Sequence, residues 1–339
     1  VLTFSSTEWP ALRQLQLSQL RPSDMQRFRA AALPALASLH INFGRTATPK
    51  SSALRNSVLQ FTAELSKLQL KSLQIRAAFE LGRLTLPAVE RLKLACFKFT
   101  ALRTPALQHL ELNVDCFSSL QSCLQEAPLL KTLRLATLST SGASYVIESS
   151  IFDVALNKRL QQLTVFESSD ITISSAAFRA LCNLPSLEAL SVCVSEIQAL
   201  DLFGGLFAAS KLSTLQIQLC TDDTRPLPEG HEDDSRLLAE LPSCSTLETR
   251  LQTLIVDFQM EREDEKLTVV FSSIRLPASC AVFCNQLDRC ATSLLNANPA
   301  IGSLNVYSAM NSDSTTALRH IRAVQMQRAP LPPSEIEAM

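Results

Sequence analysis

One short pattern, P-x-L-x-x-L-x-[LIV], recurs along the chain and limits what it can fold into. Proline is optional, and Leu, Ile or Val occupies the first apolar site. Eleven non-overlapping copies occur: WPALRQLQL, LPALASLHI, KLQLKSLQI, LPAVERLKL, TPALQHLEL, APLLKTLRL, NKRLQQLTV, LPSLEALSV, ASKLSTLQI, ETRLQTLIV and NPAIGSLNV. Their first apolar residues stand at 12, 36, 70, 89, 107, 130, 160, 187, 212, 251 and 301. Seven copies carry the proline, at Pro10, Pro34, Pro87, Pro105, Pro128, Pro185 and Pro299. Residue frequencies predict about four chance matches without proline and about 0.2 with it. The proline-bearing set therefore reflects a repeat.

The pattern ends in a period-two alternation, so its last two apolar side chains point to one face of a strand. A single strand of this kind cannot bury that face. Stacked parallel copies can, with the segments between them forming the other wall of the core. Several of those segments have helical periodicity. SDMQRFRAAAL (23–33) starts with a capping residue, Ser23, and places Met25, Phe28, Ala32 and Leu33 near one face. Similar stretches are 51–68, 117–127, 174–184 and 203–212. Proline cannot continue a helix and favours extended geometry before it, so it marks the switch from helix to strand. The expectation is an α/β fold in which strand and helix alternate with right-handed crossovers and curve into a horseshoe.

The spacings are 24, 34, 19, 18, 23, 30, 27, 25, 39 and 50 residues. The two shortest leave little room for a helix, so extended chain or a short 3₁₀ turn is expected there. The two longest, near the end, are expected to hide a loop and one degenerate repeat.

On these motifs the chain resembles leucine-rich repeat proteins, over roughly residues 9–310. The resemblance implies a right-handed horseshoe solenoid, with a parallel β-sheet on the concave face and helices and irregular turns on the convex face. It gives one domain over residues 1–328 with about eleven repeats, a capping helix over 314–327 and a disordered tail over 329–339. The family usually places Asn or Cys eight residues after the first leucine; here only Cys220 conforms, so packing rather than an asparagine ladder is expected to hold the turn. The proline-led, irregular repeats are similar to those of F-box leucine-rich repeat proteins. In that family the repeats select a substrate, and an upstream F-box docks the ubiquitin-ligase scaffold. No F-box-like segment is present in this sequence. The alternatives are a leucine-rich repeat GTPase-activating protein and the sensor region of an immune-type receptor.

The resemblance places ligands on the concave face, and the register says which side chains point out there. They include Gln14, Gln16 and Ser18 in the first copy. Copies three to six bring a cluster of cations, Arg76, Arg91, Lys93 and Arg134, with Glu111 inside it and Lys71 and Lys131 at its edge. With His109 and Phe166, these form the candidate partner-binding face. Its charge suits an acidic or phosphorylated segment of a protein partner.

Other functions find little support. The net charge is −1, which gives no electrostatic footprint for nucleic acid or anionic membrane. No apolar run reaches transmembrane length. Only 7 glycines occur, too few for glycine-rich phosphate loops, and no nucleotide, nucleophile-elbow or zinc-protease motif is present. The reading is non-catalytic, without cofactor or metal, and a monomeric domain. Ten cysteines are scattered among apolar residues rather than set as a dense framework. They read as buried thiols, which points to a cytoplasmic or nuclear protein. Cys280, Cys284 and Cys290 form the closest group, in a helix-like stretch where Cys280 and Cys284 share a face; core packing is expected there rather than zinc. The acidic segment 222–234 and the shorter run 261–265 read as solvated loops. Residues 1–8 are expected to pair with the edge of the first strand, unless an upstream segment does so.

Overall fold

The computed structural model describes residues 9–21, 24–25, 28, 30–44, 52–114, 119–136, 145–147, 149–152, 158–165, 171–173, 175–182, 184–194, 211–219, 247–248, 250–258, 271–272, 274–284, 289–306 and 324–326. The chain is described as two compact units, Val1–Thr172 and Ile173–Met339.

The first unit contains β1 (Gln14–Leu20), β2 (Ser38–Phe43), α1 (Ser52–Lys67), β3 (Ser72–Arg76), β4 (Leu81–Thr85), β5 (Arg91–Cys96), β6 (Phe99–Arg103), β7 (His109–Val114), α2 (Leu120–Gln125), β8 (Thr132–Ala136), β9 (Tyr145–Ile147) and β10 (Gln162–Val165). Its main sheet has the order β1-β2-β3-β5-β7-β8-β10. The strands are parallel, and each repeat pairs in register with the next, as in Leu73↔Leu92↔Leu110↔Leu133↔Leu163. The short strand β11 (Ile171–Ile173) spans the boundary between the units. The second unit contains α3 (Ser175–Cys182), β12 (Ala189–Val194), β13 (Thr214–Leu219), β14 (Leu247–Glu248), β15 (Thr253–Phe258), β16 (Ile274–Arg275), β17 (Ala281–Cys284), α4 (Arg289–Ala297), β18 (Ser303–Val306) and β19 (Val324–Met326). Its parallel sheet runs β12-β13-β15-β17-β18-β19. Both units are α/β structures with mostly parallel strands, and the sheets are not closed.

The recurrent proline has a defined place. In all seven proline-bearing copies the residue before proline accepts a hydrogen bond from the first apolar residue's N–H, as in Leu33 O from Leu36 and Thr104 O from Leu107, at 3.1–3.4 Å. Proline thus sits at the second position of a β-turn, where its fixed φ is preorganised. One residue later, a single carbonyl of the preceding repeat accepts two successive N–H groups. Arg13 O takes Ala37 and Ser38, and Ala37 O takes Lys71 and Ser72; Lys71, Glu90, Gln108, Lys131, Glu188 and Ser213 repeat the arrangement at 2.8–3.1 Å. This backbone ladder recurs at strand entry.

The leucines lie inside as the period-two pattern requires: Leu39, Ile41, Leu73, Ile75, Leu92, Leu94, Leu110, Leu112, Leu133 and Leu135 are each at most 2% exposed. Behind β2, four phenylalanines pack edge to face. Phe28 meets Phe61 at 5.4 Å between ring centres, Phe61 meets Phe43 at 5.9 Å, and Phe43 meets Phe79 at 5.2 Å. Each such contact contributes about 0.5–1.5 kcal/mol beyond area burial.

The helices over 51–68, 117–127 and 174–184 form, as α1, α2 and α3. The segment 23–33 does not form the expected helix in its described part. Ala30–Ala32 is a 3₁₀ turn whose Ala30 N–H donates to the Glu64 carboxylate of α1 at 2.8 Å. Met25, Phe28, Ala32 and Leu33 are nonetheless buried, so the apolar face persists with a tighter backbone. Ser23, most of 203–212, the acidic segments 222–234 and 261–265, and the tail 329–339 lie outside the described residues, as do residues 1–8. The two short intervals are extended, as expected, and their chains pair into a second parallel sheet, β4 with β6.

Two expectations near the end are corrected. Cys280–Cys284 is not helical. Ala281–Cys284 is strand β17, paired with β15 and β18, and it buries Cys280, Val282 and Cys284 at every second residue. This is the degenerate repeat. Its turn closes one residue late, from Pro277 O to Cys280 N–H at 2.8 Å, which leaves one residue fewer before the strand. Cys280 thereby takes the place of the first leucine. The turn's Ala278 carbonyl would lie 2.9 Å from any Cβ at Gly302, so glycine is required there. The capping helix over 314–327 also fails in its described part, because Val324–Met326 is strand β19 against β18. Sheet hydrogen bonding there overrides helical periodicity.

Candidate functional site

The site is built from rows of outward side chains that the in-register stacking carries across β3, β5, β7 and β8. The first row holds Ser72, Arg91, His109 and Thr132; the second Gln74, Lys93, Glu111 and Arg134; the third Arg76, Ala95, Asn113 and Ala136. Neighbouring strands lie about 4.8 Å apart, so residues in one row are in direct lateral contact range.

Arg76, Arg91, Lys93 and Arg134 are exposed, while His109 and Glu111 are partly covered. Phe166 lies outside the described residues. The middle row alternates in sign. Lys93 Nζ lies 2.5 Å from Glu111 Oε1, with side-chain exposures of 45% and 27%, and Arg134 is in register on the other side of Glu111. His109 Nδ1 lies 3.2 Å from Thr132 Oγ1. Burial, then the charges of Arg91 and Lys131, pushes the His109 pKa down, so the ring is neutral at neutral pH. The third row is a dip. Ala95 and Ala136 flank Asn113, Ala95 is only 8% exposed although its position points outward, and the Asn113 Oδ1 is buried without a hydrogen-bond partner.

A further row lies at the edge of the cluster, and only its Lys71 and Lys131 stand out in the sequence. The residues just before each strand, Lys71, Glu90, Gln108 and Lys131, supply the shared carbonyls while their side chains extend toward solvent. Lys71 donates to Glu90 at 2.7 Å. That hydrogen bond and the lysine charge hold the Glu90 carboxyl below its ordinary pKa. The signal for this row was present in the repeat, one position upstream of the strand. It sits outside the two-residue alternation and so escaped the outward set.

Chemically, the face offers guanidinium and ammonium donors to carboxylates or phosphates. Among the described residues no group of three or more His, Cys, Asp or Glu side chains could hold a metal ion. Burial raises the Cys123 thiol to about 12 and the Cys280 thiol to about 11, so neither is a nucleophile at neutral pH. No described helix is long and apolar enough to cross a membrane. Compared with known proteins, the chain matches no family model and no curated protein.

Proposed function

We propose that the chain is a leucine-rich repeat protein whose parallel sheet lines the concave face of a solenoid, and that it is a non-catalytic module binding a protein partner there. The ligand is an acidic or phosphorylated segment of that partner. The role that fits best is substrate recognition for an F-box-type ubiquitin-ligase adaptor in the cytoplasm or nucleus. The observation that carries the binding reading is the concentration of Arg76, Arg91, Lys93 and Arg134 within four consecutive strands of the sheet, β3, β5, β7 and β8. The adaptor role rests on the resemblance of the proline-led repeats alone.

The test is binding to arrays of acidic and phosphoserine peptides, by the native chain and by the double variant Arg91→Glu with Arg134→Glu. Reversing two cations that meet an anionic ligand should weaken the best binders by on the order of 100-fold. Circular dichroism and the melting curve should stay unchanged, because both side chains are exposed. Equal binding by a folded double variant would exclude this face as the site.

A further inference from the structure

From the sign order of the middle row, we infer that Glu111 is a specificity-determining residue, and that the partner segment alternates acid, base, acid rather than being uniformly acidic. The inference rests on the binding face proposed above.

Lys93, Glu111 and Arg134 occupy one row on three adjacent strands, in direct register, and present plus, minus, plus. Glu111 is 27% exposed and ion-paired to Lys93, so its carboxylate reaches the surface where a ligand would lie. A run of acids laid across this row would bring two carboxylates against Lys93 and Arg134 and press its middle carboxylate onto Glu111. Like charges so apposed are a standard means of rejecting wrong partners. A segment of the form acid–x–base–x–acid meets no such penalty. In extended conformation its alternate side chains fall on one face, about 6.7 Å apart. The strands beneath are about 4.8 Å apart. The mismatch is within the reach of Glu, Lys and Arg side chains. The sheet does not need this carboxylate for its own sake, because β12, β13 and β15 stack in the same register with no ion pair among their described outward residues.

The test uses two extended peptides, Glu-Ser-Lys-Ser-Glu and Glu-Ser-Glu-Ser-Glu, each measured at low salt against the native chain and Glu111→Gln. The native chain should bind the mixed peptide about fivefold more tightly, the size expected of one half-exposed charge pair. Glu111→Gln, which keeps the shape and removes the charge, should abolish or reverse that preference. The same preference in both proteins, or a native preference for the all-acid peptide, would overturn the role of Glu111 while leaving the cationic face standing. Binding of neither peptide by the native chain would overturn both readings.

Discussion

Strands β5 and β15 share a buried plan and differ in what they show to solvent. Leu92 and Leu94 in one, and Leu254 and Val256 in the other, are each at most 2% exposed. Outward, β3, β5, β7 and β8 carry Arg76, Arg91, Lys93, Glu111 and Arg134. Among the described residues, the outward register positions of β12, β13 and β15 hold Ala189, Ser191, Thr214, Gln216, Gln218, Thr253 and Ile255, none of them charged. The scaffold is thus indifferent to charge on this face. A near-neutral outward row suffices for a parallel sheet of this register, so the cations of the first unit are not a requirement of folding. That difference is what gives the charged rows functional weight.

The comparison breaks most sharply at the shared positions. Leu92→Ala and Leu254→Ala remove equivalent buried side chains, and each should cost about 2–5 kcal/mol in a denaturant titration. If either variant unfolds at the native midpoint, the two regions do not share a scaffold.

The next contrast lies in the residue before proline, where two copies place a buried polar side chain. Asn298 is fully engaged: Nδ2 donates to Ile274 O at 2.8 Å and Leu294 O at 2.7 Å, and Oδ1 accepts from Leu276 N–H at 2.6 Å. Thr104 is completely buried, and its Oγ1 has no partner. Asn298→Leu strands those backbone groups and should cost about 1–3 kcal/mol. Thr104→Val removes an orphan hydroxyl at nearly constant volume and should stabilise by up to about 1 kcal/mol. Leu33, Leu86, Ala127 and Leu184 already show apolar side chains at this place. Thermal melts of the two variants should therefore shift in opposite directions.

The smallest effect concerns the exposed Lys71–Glu90 pair. The folded-state pKa of Glu90 lies below its ordinary value of 4.5, chiefly through the Lys71 hydrogen bond. Its stabilising contribution is therefore present above that ordinary value and disappears as pH falls through the lowered one. Lys71→Met should melt slightly below the native chain at pH 7 and converge with it in acid. A constant difference between the two across that range would show that lysine acts there through its packing, not its charge.

Much of the scaffold was legible because burial follows a period that the residues state outright. Leu12, Leu36 and their counterparts mark strand entry, and alternation then tells inside from outside, which correctly placed Arg91, Lys93 and Arg134 on the solvent side. Strand β17 was not legible, because its entry is one residue shorter and Cys280, Val282 and Cys284 replace the leucines. Helical periodicity misled there, since apolar residues spaced four apart satisfy both a helix and a strand. The sign order of the middle row was also hidden. It depends on which residues of separate repeats stand side by side, and only the pairing of Lys93 with Glu111 and of Glu111 with Arg134 reveals it.

The shared carbonyl at strand entry separates length from alignment. Spacings between copies whose strands pair run from 18 to 39 residues, yet those strands meet in register. Each entry resets the count, so a loop that gains or loses residues passes no error to the next strand. Loops in such a chain are free to diverge in length while the rows of the outward face keep their order, and the arrangement of charges can persist through changes that would scramble a less modular sheet.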